Sequence, residues 1–442
     1  MPWTTLTLQV TTPLFNGGAD PADDAGFRPR DEAGVRVASI RGAMRFWFRA
    51  LAGTVAGPDL ALLAHMEEAV FGSTEHPSPV AMRVRTQPRL TRAHPTPKFI
   101  GEAPRFGGRR PGPGGGGIQQ NRDDGKWLIY LLGQGLADAK ERTLLRDFVD
   151  EGKSISLAFR FSGNESVDTL VVASLWLLCT YGGIGSRVRR GWGGLAITGS
   201  AGDLPGGWTA ETARTPGLEY FQRQGSVWPA EHMELWQAYL CDLPGVDVPM
   251  PESAEAWTTR PSYPVLSQQW TRAALWSGQA ERDWTRVLGY AGEQFRWFRA
   301  REDTPGVPYR PQVKTPEWRT VTDRDGGEKF GLGALGMPIV FKKGGPTVHA
   351  DQQPAAGAQP VPLRRASPLW LRVVGGGQQW KLFSFAFQGE FLPEDVKVHV
   401  WPDNRYPGRE LTVTNEDADA RTNEWLDAVS SRRSFIRDRE LR

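Results

Sequence analysis

Cysteine is scarce: Cys179 and Cys241 are the only two in 442 residues, they form no CxxC, and no histidine accompanies either. A disulfide framework or a structural zinc needs paired or clustered ligands, so neither is expected. Long apolar runs are missing too. No run of 18 apolar residues occurs, and the opening MPWTTLTLQV lacks the basic and apolar regions of a secretory signal. These absences predict a cytoplasmic protein with no membrane partner.

An excess of one charge is also missing, since the net charge is only +3. Within the basic residues lysine is rare: ten lysines stand against forty-three arginines. Arginine offers a planar fork that grips phosphate bidentately and stacks on bases. Genome base composition produces the same bias, so local clustering has to decide what the arginines do. Nucleotide-binding signatures are absent. No GxxxxGK[ST] string occurs, and Val188 stands where a dinucleotide fingerprint starting at Gly183-x-Gly185 needs its third glycine. No cofactor is expected. The carboxylates show no metal-ligand spacing, and Asp20, Asp23 and Asp24 read as solvating charge in a polar loop, so no metal is expected. The histidines (65, 76, 94, 232, 349 and 399) have no partner at catalytic spacing, and no catalytic residue is assigned.

What is present begins with residues 35–51, VRVASIRGAMRFWFRAL. Ser39 occupies an N-cap position, and Ile40, Ala43, Met44, Trp47 and Leu51 make one apolar helical stripe. Arg41, Arg45 and Arg49 fall four apart and form a second row on the same helix. A solvated basic face and a rail for a phosphate backbone both fit that row. The chain's length suggests two domains, placed at 1–200 and 261–442 with a connecting, partly helical segment at 201–260.

Residues 4–10 alternate as a strand and run into Thr11-Thr12-Pro13-Leu14-Phe15-Asn16-Gly17-Gly18, where Pro13 stops the ladder. After a polar stretch at 19–33 comes the helix just described. A second helix spans 58–70, with Gly72 as its stop, and strands are expected at 80–85, 126–132 and 154–161. Residues 104–125 and 344–362 read as loops, and 169–181 as a buried helix. The order of elements over the first 195 residues predicts an α+β fold with a ferredoxin-like βαββαβ unit. In the second half a strand region at 265–276 precedes a helix at 282–301. A hairpin of strands 369–374 and 380–388 turns through Gly375–Gly377, followed by a strand at 396–401 and a helix at 418–429. The end of the 282–301 helix, FRWFRA, echoes FWFRA at 46–50.

The sharpest chemical signal is the glycine loop at 182–195, GGIGSRVRRGWGGL. Gly183, Gly185 and Ser186 let backbone N–H groups approach an anion, and Arg187, Arg189, Arg190 and Trp192 interleave cations with a ring. That combination suits single-stranded nucleic acid, with guanidiniums on phosphates and a ring as a stacking face.

Several segments then match a known family. TPLFNGG, ASIRGAMRFWFRAL, LFGS, YLLGQG and GGIGSRVRRGWGGL resemble the RAMP superfamily of CRISPR proteins, and more narrowly the largest RAMP subunit of the Cmr (type III-B) effector complex. In the second half Phe330–Ile339 is similar to that subunit's Phe-Gly-Leu-Pro segment with an insertion, and Arg364-Arg365-Ala366-Ser367-Pro368 resembles the RAMP Arg-x-x-Ser-Pro motif. The resemblance implies two ferredoxin-like (RRM-like) domains and a non-catalytic subunit of an antiviral ribonucleoprotein. It implies contact with the 3′ part of the guide RNA, help in capturing complementary target RNA, and other Cmr subunits as partners. Under it the glycine loop and Arg41, Arg45 and Arg49 become the RNA surface, with Asn16 and Arg36 as further candidates. Since some RAMP relatives process guide RNA without metal, an endoribonuclease is the alternative.

Overall fold

The structure is a computed structural model that describes residues 1–16, 34–101, 123–133, 135–224, 227–248, 259–299, 316–322, 327–341, 345–352, 361–401 and 408–431. The acidic loop with Asp20, Asp23 and Asp24, most of the 104–125 loop, and 353–360 lie outside these residues.

β1 (Thr4–Val10) forms by alternation: Leu6, Leu8 and Val10 are fully buried on one face, with Thr5, Thr7 and Gln9 on the other. α1 (Val37–Ala56) buries Ile40, Met44, Trp47 and Leu51, and Ala43 packs at the edge of the same core. Its start differs from expectation. Arg36 is the N-cap and supplies no side-chain cap, while Ser39 sits inside the helix with its N–H 3.1 Å from the Arg36 carbonyl. The apolar stripe sets the phase of a helix but not the residue at which it starts. α2 (Leu60–Phe71) is capped by Asp59, which accepts the Leu62 N–H at 2.9 Å, and it stops at Gly72 with φ of 70°. β2 (Ala81–Thr86) follows.

Residues 126–132 are not a strand but most of a helix, α3 (Asp124–Leu132). A short apolar run such as KWLIYLL does not distinguish a buried strand from a buried helix. Asp123 settles it locally, capping the helix by accepting the Lys126 N–H at 3.2 Å. A short pair, β3 (Ala137–Asp138) and β4 (Thr143–Leu144), precedes β5 (Ser154–Arg160), α4 (Glu165–Tyr181) and β6 (Leu195–Ala201). From Ser166 to Tyr181 every residue of α4 is buried, the few polar ones such as Asp168 and Thr169 included, as a helix apolar on nearly every side requires. The four long strands form an antiparallel sheet in the order β2-β5-β1-β6. Leaving aside α2, α3 and the β3–β4 pair, the chain runs strand, helix, strand, strand, helix, strand.

The connecting segment holds α5 (Leu218–Gln224) and α6 (Ala230–Cys241). Then come β7 (Thr271–Leu275), α7 (Trp284–Arg299), α8 (Pro316–Thr322), a 3₁₀ turn at Gly331–Leu335, β8 (Ile339–Val340), β9 (Thr347–Gln352) and β10 (Val361–Leu363). The chain ends in β11 (Leu369–Gly376), β12 (Gln379–Phe387), β13 (Val396–Trp401), β14 (Arg409–Leu411) and α9 (Asn415–Ser431). β11 and β12 pair as a hairpin, Leu369 opposite Ala386, and extend to β7 in the order β11-β12-β7. β8, β9, β10, β13 and β14 make a separate antiparallel sheet. The expected loop at 344–362 therefore contains β9, whose Val348 and Ala350 point into the core. Two inward residues give too short an alternation to stand out among flanking glycine and proline.

The halves share their interior. Trp370, Val374, Phe383, Phe385 and Phe387 of the hairpin join the core beneath α1 and α4, with the Trp47 and Trp370 rings 5.8 Å apart. A second core gathers Phe15, Phe148 and Trp192 from the first half with residues of α3, α7, β11 and α9. Burying one ring of about 200 Å² is worth on the order of 5 kcal/mol of transfer free energy. That exceeds the roughly 1 kcal/mol of a typical hydrogen bond. Aromatic packing therefore dominates the joint. The architecture is α+β, and among the described residues no helix is long and apolar enough to cross a membrane.

Candidate nucleic-acid interface

The glycine loop between α4 and β6 is clamped from both sides. On one side the segment after β1 holds it: Ser186 N–H donates to Phe15 O at 2.8 Å, Gly193 N–H to Pro13 O at 3.0 Å, and Thr11 N–H to Gly194 O at 2.9 Å. On the other, Leu371 N–H of β11 donates to Arg189 O at 3.0 Å. Across the loop Ile184 N–H meets Gly193 O at 3.0 Å. These approaches explain the glycines. A Cβ at Gly183 would meet Gly193 O, and one at Gly185, where φ is 89°, would meet Phe15 O.

The arginines of the loop face different neighbours. Arg187 Nε donates to Leu132 O at 2.7 Å, and Arg190 approaches Leu131 O at 3.5 Å. Both carbonyls belong to the last turn of α3, where acceptors are left over and cations are favoured. Arg189 donates to Ser367 O at 2.6 Å and lies 5.0 Å over the Trp370 ring. Burial pushes Arg189 and Arg190 down to about 10, which leaves both cationic at neutral pH. Trp192 corrects the expectation of a stacking face. Its ring is 1% exposed and packed among Phe15, Phe99 and Trp284, because it belongs to the second core. Gly185 and Arg187 are the exposed members of the loop, and Arg187 holds an unusual φ of 65°.

The arginine row of α1 also divides. Arg45 and Arg49 both pair with Glu67 of α2, at 3.1 and 2.7 Å, and Arg45 further donates to Phe71 O at 2.9 Å at the end of α2. The anion between these guanidiniums comes from the protein itself. Arg41, one turn nearer the helix start, makes no ion pair among the described residues.

The start of α1 brings most of the remaining candidates together. Asn16 Nδ2 donates to Gly34 O at 3.2 Å, tying the chain after β1 to the approach to α1, while Phe15 O holds Ser186. Arg36 is exposed. Among the described residues the first turn of α1 has no side-chain cap, and it contains no acidic residue, so its leading N–H groups find no side-chain acceptor there. A helix terminus of this kind, flanked by arginines and a glycine loop, is electrostatically suited to phosphate.

Elsewhere the chemistry is sparse. His76 and Ser73 both bond Glu68, and His399 pairs with Asp351 at 2.8 Å. Among the described residues no group of three or more His, Cys, Asp or Glu could hold a metal ion. Sequence reasoning missed Glu67, whose role depends on helix packing, and Arg372. The latter, buried in β11, donates to Cys179 O at 2.6 Å and Leu195 O at 2.9 Å, joining the second half to both ends of the glycine loop. Its signal was visible: a single charge inside the otherwise apolar run LWLRVV.

Residues 7–196, which run from within β1 through α1 and α4 to just past the glycine loop, match the model of the RAMP superfamily. The chain is 28% identical over 206 residues to the CRISPR system Cmr subunit Cmr1-2 of Pyrococcus furiosus, covering 43% of this chain and 92% of that protein. It is 32% identical over 167 residues to subunit Cmr1-1 of the same organism, covering 37% and 40%. The crystal structure of apo Cmr1 from Pyrococcus furiosus superposes with a TM-score of 0.52 at 20% identity, over 96% of this chain and 97% of that one, which shows a shared fold. Residues 7–196 thus resemble the RAMP superfamily, and the curated proteins the chain is similar to are Cmr1 subunits of the CRISPR Cmr system.

Proposed function

We propose that this protein is a non-catalytic RNA-binding subunit of a type III-B CRISPR (Cmr) ribonucleoprotein in the cytoplasm. In this reading it contacts the 3′ part of the guide RNA, helps capture complementary target RNA and works beside other Cmr subunits. The first and second halves, 1–200 and 261–442, act as two ferredoxin-like units, the second interrupted by the inserted sheet. The observation that carries the reading is the start of α1, uncapped among the described residues, together with Arg36, Arg41, Gly185, Ser186 and Arg187. The first turn of α1 has no acidic residue, Arg36, Gly185 and Arg187 are exposed, and in this reading they share one RNA-facing surface. Gly183 and Asn16 support that surface from behind. Arg189 and Arg190 border it, and Arg45 and Arg49 hold α1 against α2.

The test is binding of a labelled single-stranded RNA across a salt series. Arg36→Ala and Arg41→Ala are expected to weaken binding and to flatten its log–log salt dependence by about 0.7 per lost phosphate contact. Unchanged affinity and slope in both variants would sink the assignment. Incubation with labelled repeat RNA in EDTA is expected to give no cleavage. Specific cleavage lost in His65→Ala or His76→Ala would make the protein a ribonuclease instead.

A further inference from the structure

A cavity of about 260 Å³ lies where the glycine loop meets the segment entering β11. Arg189 of the loop and Arg364 and Arg365 of the Arg-Arg-Ala-Ser-Pro run line it. None of the three forms an ion pair among the described residues. Arg189 donates to a carbonyl and covers a ring, and the Arg365 Nε is buried without a hydrogen-bond partner among the described residues. Two acids also reach the cavity. Asp419 is held by Arg260 at 2.6 Å, which leaves Glu390 as the one lining carboxylate outside an ion pair among the described residues.

Three guanidiniums against one unpaired lining carboxylate is an unbalanced lining. Burial pushes both Arg189 and Arg365 down, Arg365 against the weaker opposing pull of Glu390 and Asp395, so the fold places partly dehydrated cations around an open space. Such cations are stabilised most by an anion that accepts several N–H bonds, and guanidinium geometry matches an oxyanion of tetrahedral phosphate. Pockets for drug-sized ligands run to roughly 300–1,000 Å³. This one is smaller, of the order of a single sugar-phosphate unit.

We propose that this cavity is an oxyanion site that takes one phosphate group, the source being a backbone phosphodiester of bound RNA. The choice of RNA as the source rests on the function proposed above, whereas the anion chemistry rests on the cavity alone. The site extends the RNA surface past the glycine loop onto the second half of the chain, with Arg189 bridging the two.

The experiment uses the full chain and an R364A/R365A double variant, with Arg364→Gln as a milder variant at an exposed position. In the first arm, inorganic phosphate is titrated against chloride at matched ionic strength and Tm is followed. General salting effects are common to both proteins. Phosphate is expected to raise the wild-type Tm beyond chloride and to lose that excess in the double variant, with a partial loss in Arg364→Gln. In the second arm, affinity for a labelled 20-nucleotide RNA is measured across a salt series. The double variant is expected to lose about 0.7 from the slope, the share of one phosphate. An equal phosphate shift in all three proteins overturns the site. A phosphate shift that is lost while the RNA slope is unchanged overturns RNA as the source and keeps the oxyanion site. If the wild type binds no RNA, the proposed function fails, and the phosphate arm still decides the cavity.

Discussion

Glu67 Oε2 lies 2.7 Å from Arg49 Nη1, and the other oxygen of the same carboxylate lies 3.1 Å from Arg45. One acid of α2 thus neutralises two of the three arginines that line α1. Arg45 adds a bond to the Phe71 carbonyl, so its cation also satisfies the end of the α2 helix.

This arrangement predicts a stability role for Arg45. Arg45→Ala is expected to destabilise the fold by about 1–3 kcal/mol, the range for hydrogen bonds made by a charged group. Arg49, more exposed and, among the described residues, bound only to Glu67, is expected to cost about 0.5 kcal/mol, as for other half-exposed pairs. Urea unfolding measures both, and RNA affinity of the folded variants should stay within about twofold. An Arg45→Ala protein with unchanged stability and lost RNA binding would return this arginine to the phosphate rail.

The glycine loop carries a prediction of its own. At Gly193 φ is 69° and an added Cβ would collide with the Ile184 carbonyl oxygen, breaking the pairing that closes the loop. Left-handed backbone alone costs roughly 1–2 kcal/mol for a residue with a Cβ. Gly193→Ala is therefore expected to lose more than about 2 kcal/mol once the Ile184 hydrogen bond goes as well. Gly199→Ala, in β6 with no atom near its would-be Cβ, is the control and should be close to neutral. Equal Tm values for the two variants would remove the structural explanation of the loop's glycines.

Local patterning reaches only so far along this chain. The α1 stripe, the β11–β12 hairpin and the Gly72 stop are legible in the sequence because each is decided by residues within a few positions of one another. α3 is not, because a seven-residue apolar run carries no period long enough to choose between helix and strand. The partners of the loop arginines are not legible at all. Arg189 meets Ser367, 178 residues away in the chain, and from the other side Arg372 of β11 meets Cys179, 193 residues away. Composition is enough to find the loop, but which of its side chains face outward depends on β11 and α3 arriving from elsewhere. Trp192 is the sharpest case: an aromatic among arginines looks like a stacking face until the second core closes over it.

The last prediction concerns pH and His232. Its ring lies 5.1 Å from Trp236, 5.4 Å from Trp176 and 5.8 Å from Trp208, centroid to centroid. Burial among these rings holds the imidazole below its ordinary 6.5, while the neighbouring Glu231 pulls weakly the other way. A histidine whose folded pKa is depressed contributes stability in full above the unfolded value, because neither state then binds the proton. As pH falls below about 6.5, the unfolded chain takes up a proton that the folded chain refuses, and stability drops until the folded value is passed. The Tm advantage of wild type over His232→Gln is thus expected to be constant from pH 8 to about 7 and to shrink steadily toward pH 5. His349 is shifted in the same direction, so His349→Gln serves as a parallel control. If the wild-type advantage grew on acidification instead, the three tryptophans would be stabilising a protonated imidazole through their ring faces, and cation–π attraction would outweigh the cost of burying the charge.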